Sequence, residues 1–229
     1  MIAKQNEKGM AVLSWERAKE QYGVTMPVVR AMEEKGIVKL ESMRIYRDPL
    51  DLMISRSNQK QEEVKMQTGR DFFLNEEQQL AVQTILKEWD QKDKSVYLLH
   101  GVTGSGKTEV YMELIDFVRK QGKQAIFLIP EIALTYQMVL QFYQRFGSRV
   151  SILHSRMSAG ERYDQYEKAK NGEIDIMIGP RSALFTPFSN LGIIIIDEEH
   201  EESYKSETVP RYHARETAHR LLRTLRLCP

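Results

Sequence analysis

A single cysteine, Cys228, stands in 229 residues, and one thiol supports neither a disulfide framework nor a cysteine-based zinc site within this stretch. That usage suits a reducing cytoplasm. No apolar run approaches the ~18 residues that a membrane span requires, so no membrane partner is expected, and no signal peptide precedes the fold. Net charge is scarce as well. The 33 Lys and Arg against 32 Asp and Glu leave +1, so there is no global nucleic-acid signature and any basic surface is local. Internal repeats and low-complexity segments are absent, and the five histidines suggest no metal site. What is present, 41% hydrophobic and 28% charged residues, is ordinary for a globular chain. The length fits one large domain, or one medium and one small.

The most informative stretch is GVTGSGKT, Gly101 to Thr108, which satisfies G-x-x-x-x-G-K-[ST]. The apolar run Val96–Leu99 precedes it and predicts a strand. Glu109 to Gln121 predicts a helix with Val110, Leu114, Ile115, Phe117 and Val118 on its apolar face. Strand, glycine-rich turn and helix together are the context that gives this pattern meaning. Gly101, Gly104 and Gly106 let the backbone turn where a Cβ would forbid it, so that N–H groups of the loop, Val102, Thr103 and Ser105 included, point at phosphate oxygens. The helix N-terminus adds partial positive charge. Lys107 is placed to reach the β- and γ-phosphates of ATP, and the Thr108 hydroxyl to hold Mg2+. A nucleotide-binding protein is expected.

Upstream, residues 1–50 read differently. Val12, Leu13, Trp15, Ala18 and Tyr22 predict a short helix stopped by Gly23. Thr25 is placed to cap a second helix, which ends at Gly36. The alternation IVKLESMRIYRD predicts a two-stranded ribbon closed by Asp48-Pro49. Two short helices and a ribbon outline a winged helix, a fold that contacts either DNA or protein. Arg30, Lys35, Lys39, Arg44 and Arg47 are its candidate phosphate contacts. Residues 51–70 are polar and read as a linker. Asn75 then caps a helix carrying Gln78, whose carboxamide suits the donor–acceptor edge of adenine; a plain solvent-facing glutamine is the competing reading.

From Val96 onward short apolar strands (Val96–Leu99, Ala125–Ile129, Val150–Leu153, Ile174–Ile178, Gly192–Ile196) alternate with helices (Glu109–Gln121, Leu134–Phe146, Ala159–Asn171). This alternation predicts an α/β domain with a mostly parallel sheet covered on both faces. After the run Ile193–Ile196 come Asp197, Glu198, Glu199 and His200, at the carboxyl edge of the sheet beside the phosphate loop. Asp197 is a candidate for the Mg2+ shell and Glu198 for polarising the attacking water. Five acids within Asp197 to Glu202 repel one another unless a cation or basic partner neutralises some of them.

GVTGSGKT with DEEH resembles motifs I and II of superfamily 2 helicases of the DEAH type. IPEIALTYQ (Ile129–Gln137), HSRMSAGERY (His154–Tyr163), GPRSALFTPF (Gly179–Phe188) and DEEHEESYKSETVPRYHARETA (Asp197–Ala218) are similar to the bacterial replication-restart (primosomal) helicase family. The resemblance covers residues 71–229 strongly. It implies a RecA-like P-loop ATPase lobe over 71–229, and an ATP-dependent helicase moving 3′ to 5′ on single-stranded DNA at stalled forks. It also implies partners such as single-strand-binding protein and primosome loading proteins, and a nucleoid-associated location. By resemblance, Gln78 reads adenine and His200 senses the γ-phosphate. Glu131, Thr135, Arg181 and Ser182 lie on the face along which single-stranded DNA tracks, with Pro180 where the family more often shows Thr. Residues Glu201 to His213 are similar to an aromatic-rich loop coupling DNA to hydrolysis. The residues agree: Tyr204 and Tyr212 are candidates for base stacking, with Lys205 and Arg211 beside them for phosphates, while His213 is a DNA contact only as the resemblance implies.

The family continues into a cysteine-rich zinc module and a second RecA-like lobe. The chain therefore reads as a fragment that binds ATP weakly and hydrolyses it very slowly alone. Two other readings remain open: a double-stranded-DNA translocase of the restriction type, and a non-enzymatic winged-helix adaptor.

Overall fold

The computed structural model describes residues 13, 15–40, 74–89, 96–102 and 104–225. Two compact units divide the chain, residues 1–45 and 46–229.

In the first unit, α1 (Trp15–Tyr22) and α2 (Met26–Glu34) are the two short helices expected. Thr25 occupies the N-cap position of α2, but its side chain makes no cap hydrogen bond; Pro27 in the first turn presets the backbone there instead. Residues 37–40 are in no strand. The remainder of the expected ribbon, with Arg44 and Arg47, and the linker 51–70 lie outside the described residues.

In the second unit α3 (Glu76–Lys87) begins at Asn75, whose side chain accepts from the Gln78 N–H while Gln78 accepts from the Asn75 N–H. This reciprocal pair satisfies two donors of the helix end. Next come α4 (Lys107–Lys120), β1 (Gln124–Leu128), α5 (Tyr136–Phe146), β2 (Val150–Ile152), α6 (Ala159–Lys170), β3 (Ile176–Gly179), β4 (Leu191–Ile196) and α7 (Ala214–Leu225). The four strands are all parallel in the order β2-β3-β1-β4. This is the α/β sheet that the alternation predicted.

The central strand shows how the sheet is covered. All five residues of β1 are buried, as parallel strands require, and the four apolar ones, Ala125 to Leu128, divide between two cores by the two-residue period. Ala125 and Phe127 pack with Met112 and Ile115 of α4 and with Val139, Phe142 and Phe146 of α5. Ile126 and Leu128 pack on the other face with Ala169 of α6 and with Ala214 and Ala218 of α7. A third cluster joins Val82 of α3 to Val110 and Leu114 of α4.

One expected strand is corrected. Val96–Leu99 is not a strand among the described residues, and β4 is the edge of the sheet. Val96 and Leu98 stand 77% and 76% exposed, so neither gains the burial that drives so short a run into a sheet. Within that run, Leu99 is the residue that packs against the core.

Candidate nucleotide-binding site

Helix α4 starts at Lys107, two residues before the expected Glu109, because Gly106 itself serves as N-cap in the left-handed region with φ +80°. The first turn of α4, carrying Lys107 and Thr108, therefore opens straight onto the loop, where its N–H groups have no helical partner. The loop is tightly folded. The Ser105 N–H donates to the Val102 carbonyl at 3.2 Å. A Cβ at Gly101 would stand 2.8 Å from Ser105 Oγ, and one at Gly106 would strike the Gln78 carboxamide. Lys107 Nζ folds back onto the carbonyls of Gly101 at 2.8 Å and Val102 at 3.2 Å. Such bonds hold the ammonium over the loop. Thr103 lies outside the described residues.

Gln78 is neither solvent-facing nor free. Its Nε2 donates to the carbonyls of Ser105 at 3.2 Å and Gly106 at 3.3 Å, while its Oε1 is the acceptor in the cap of α3. The carboxamide thus ties the start of α3 to the phosphate loop.

The acidic motif arrives from the opposite side. The Asp197 N–H donates to the Leu128 carbonyl at 2.9 Å, which extends the β1–β4 ladder one residue and sets Asp197 at the carboxyl edge of the sheet. Its side chain is buried, and Oδ1 accepts from the Tyr111 hydroxyl at 3.3 Å. Burial first, and the neighbouring Glu198 charge second, raise the Asp197 pKa; the Glu198 N–H, Tyr111 and Lys107 oppose that rise. Glu198 turns out of the strand at φ +46°, a conformation that costs an ordinary residue ~1–2 kcal/mol. The turn brings Glu198 Oε1 to 4.0 Å from Lys107 Nζ and Oε2 to 3.8 Å from His200 Nδ1. Glu199 is paired with Arg215 of α7 at 2.8 Å, so basic partners relieve the acidic run. His200 is exposed. The site therefore unites Gln78, the loop, Lys107, Asp197 and Glu198, with Thr108 half-buried in the first turn of α4. Tyr111, outside the expected apolar face, was legible only as the residue three positions beyond Thr108 on the same helix.

The residues expected to meet DNA divide. Tyr204 is corrected: it is 1% exposed, packs in the second core, and donates its hydroxyl to the Asp197 main-chain carbonyl at 2.7 Å. A tyrosine so enclosed cannot stack on a base. Tyr212 is half-buried and packs edge-on against Phe185, which is 55% exposed. Arg181 donates to the main-chain carbonyls of Ser203 and Lys205, holding the segment that carries Tyr204. Lys205 and His213 form an isolated antiparallel bridge, and the Ser206 N–H donates to the Tyr212 carbonyl at 2.7 Å. Residues 205–213 are thus a closed loop with Val209 and Arg211 exposed. Glu131 accepts from the Ser155 N–H at 2.8 Å. Burial works to raise its pKa, but the Ser155 hydrogen bonds and the His154 and Arg156 charges outweigh it and lower the value. Thr135 caps α5 through the Met138 N–H, and Ser182 is half-buried.

The family model described as type III restriction enzyme, res subunit, matches residues 71–223, more than half of the chain. The chain belongs to this family. Among curated proteins it is similar to the replication restart protein PriA of Bacillus subtilis (strain 168), with 46% identity over 191 residues, 83% of this chain and 22% of that protein. The protein of the same name from Haemophilus influenzae is 42% identical over 188 residues, covering 82% of this chain and 24% of its own length. That of Synechocystis sp. is 38% identical over 205 residues, 88% and 22%. The chain thus spans less than a quarter of the length of these relatives. The similarity that its motifs carry extends well beyond the nucleotide loop.

Proposed function

We propose that this chain is the nucleotide-binding part of an ATP-dependent DNA helicase of replication restart, coupling ATP hydrolysis to 3′-to-5′ movement on single-stranded DNA at stalled forks. The observation that carries the reading is the convergence of Lys107 and Glu198, 4.0 Å apart, on the loop Gly101–Thr108 beside Asp197. The loop suits a nucleoside triphosphate: its tight turn leaves no room for a Cβ at Gly101 beside Ser105 or at Gly106 beside Gln78, and hydroxyl and carboxylate oxygens are the ligands Mg2+ prefers. Lys107 would exchange its carbonyl partners for the β- and γ-phosphates, Thr108 and Asp197 would hold the cation, and Glu198 would orient the attacking water. His200 senses the γ-phosphate, and Gln78, whose Nε2 is given to the Ser105 and Gly106 carbonyls, reads adenine by releasing them. The cation, when bound, neutralises charge on the transferred phosphoryl group.

DNA is received on the surface carrying Glu131, Thr135 and Ser182 and by the loop with Lys205, Arg211, Tyr212 and His213. Arg181 supports that loop from within. Single-strand-binding protein and loading proteins are the partners this role implies, the cytoplasm is its setting, and the first unit serves as a winged-helix contact for DNA or protein. A duplex translocase is the second reading, favoured by the description of the matching family.

Fluorescence anisotropy with a labelled single strand and a blunt duplex of equal length distinguishes the two. The helicase reading expects tighter binding of the single strand and weakening by Arg211→Ala. Preference for the blunt duplex overturns it in favour of the translocase.

A further inference from the structure

We propose that Tyr111 is a positioning residue for the acidic motif, its hydroxyl holding the Asp197 carboxylate in the orientation a nucleotide-bound divalent cation requires. The inference rests on the reading of Thr108 and Asp197 as the cation's ligands. Tyr111 follows Thr108 by three residues on α4, so both project from one side of the helix. One helix therefore presents a hydroxyl that coordinates and a hydroxyl that orients. The ring is held firmly. It is 8% exposed and packs at 5.7 Å and 51° against Phe127 of the central strand. The hydroxyl reaches across to Asp197 Oδ1 at 3.3 Å.

Besides Tyr111, the Glu198 N–H bonds the Asp197 carboxylate. The Asp197 main-chain N–H continues the ladder to Leu128, and its main-chain carbonyl accepts from Tyr204. Those bonds fix the backbone and touch neither carboxylate oxygen, so the carboxylate's terminal torsion is set by the Tyr111 hydroxyl and the Glu198 N–H. The Tyr111 donor on Oδ1 completes that restraint, and a carboxylate so held would present its remaining lone pairs to the cation. Metal-ligating carboxylates are typically held by such outer partners, and losing one costs metal affinity. Phenylalanine at position 111 would keep the packing against Phe127 and lose only the donor.

The test is a titration of the full chain with a fluorescent ATP analogue across Mg2+ concentrations, for wild type, Tyr111→Phe, Asp197→Asn and the double variant, with thermal melting to check each fold. Tyr111→Phe is expected to leave cation-free nucleotide binding unchanged and to raise the Mg2+ midpoint about tenfold, the lower end for loss of a group that orients a metal ligand. In the Asp197→Asn background the same change is expected to add nothing. An unchanged midpoint in Tyr111→Phe overturns the proposal. So does a further rise of equal size on top of Asp197→Asn, which marks a general packing effect. Wild-type binding that ignores Mg2+ removes the ligand reading itself, and the proposal with it.

Discussion

Replacing Tyr204 tests the structure where it departs most from the sequence pattern. The segment ESYKS is charged and polar around its aromatic residue, yet Tyr204 is 1% exposed and bonded to the Asp197 carbonyl at 2.7 Å. Tyr204→Phe keeps the ring and removes one buried hydrogen bond, leaving a carbonyl without that partner, a loss of about 1–3 kcal/mol. Tyr204→Ala also opens a cavity among Leu153, Ala214 and Ala218, which belong to the same cluster, and the expected loss rises to about 3–5 kcal/mol. For a chain of this size each kcal/mol lowers the melting temperature by ~2–4 °C. Urea unfolding followed by far-UV circular dichroism measures both variants. A surface tyrosine that stacks on bases would change stability by no more than ~0.5 kcal/mol. Two variants as stable as wild type, with weakened binding of single-stranded DNA, would refute the buried placement.

Other outcomes follow from the same geometry. Gly106→Ala places a Cβ against the Gln78 carboxamide and 3.1 Å from Glu109 Oε2 at φ +80°. It should cost ~1–2 kcal/mol in urea unfolding and weaken nucleotide binding; wild-type values in both assays would show that the loop is not so confined. Glu131 has its pKa lowered from the ordinary 4.5, so its stabilising contribution is present above that value and is lost as pH falls through the lower folded value. Glu131→Gln is therefore less stable than wild type at neutral pH, and the two melting temperatures converge on acidification. A gap that stays constant with pH would contradict the Ser155 tie.

Local signals make much of this arrangement legible in the sequence. The cap at Asn75, the turn at Gly106 and the alternation of apolar strands with helices are set by residues a few positions apart. They specify a parallel α/β sheet with the loop and Asp197 at one edge. Tertiary partners are not legible in the same way. The charges around Tyr204 suggest a surface loop, but Arg181 supplies donors to the Ser203 and Lys205 carbonyls and lets the segment turn its aromatic side chain inward. Tyr111 is hidden because an aromatic residue on a buried helix reads as packing, and only the fold reveals Asp197, 86 residues away, at its hydroxyl. Val96–Leu99 misleads for a related reason, since apolar character predicts a strand without showing whether a neighbour covers it.

The central claim is that Gly101–Thr108 binds a nucleoside triphosphate through Lys107. Equilibrium titration of wild type and Lys107→Ala with ATP and Mg2+, by calorimetry on equally folded protein, tests it directly. Removing the ammonium held over the loop should weaken binding about a hundredfold, ~2.8 kcal/mol at 1.4 kcal/mol per decade. Equal affinity of the two proteins for ATP would contradict the account.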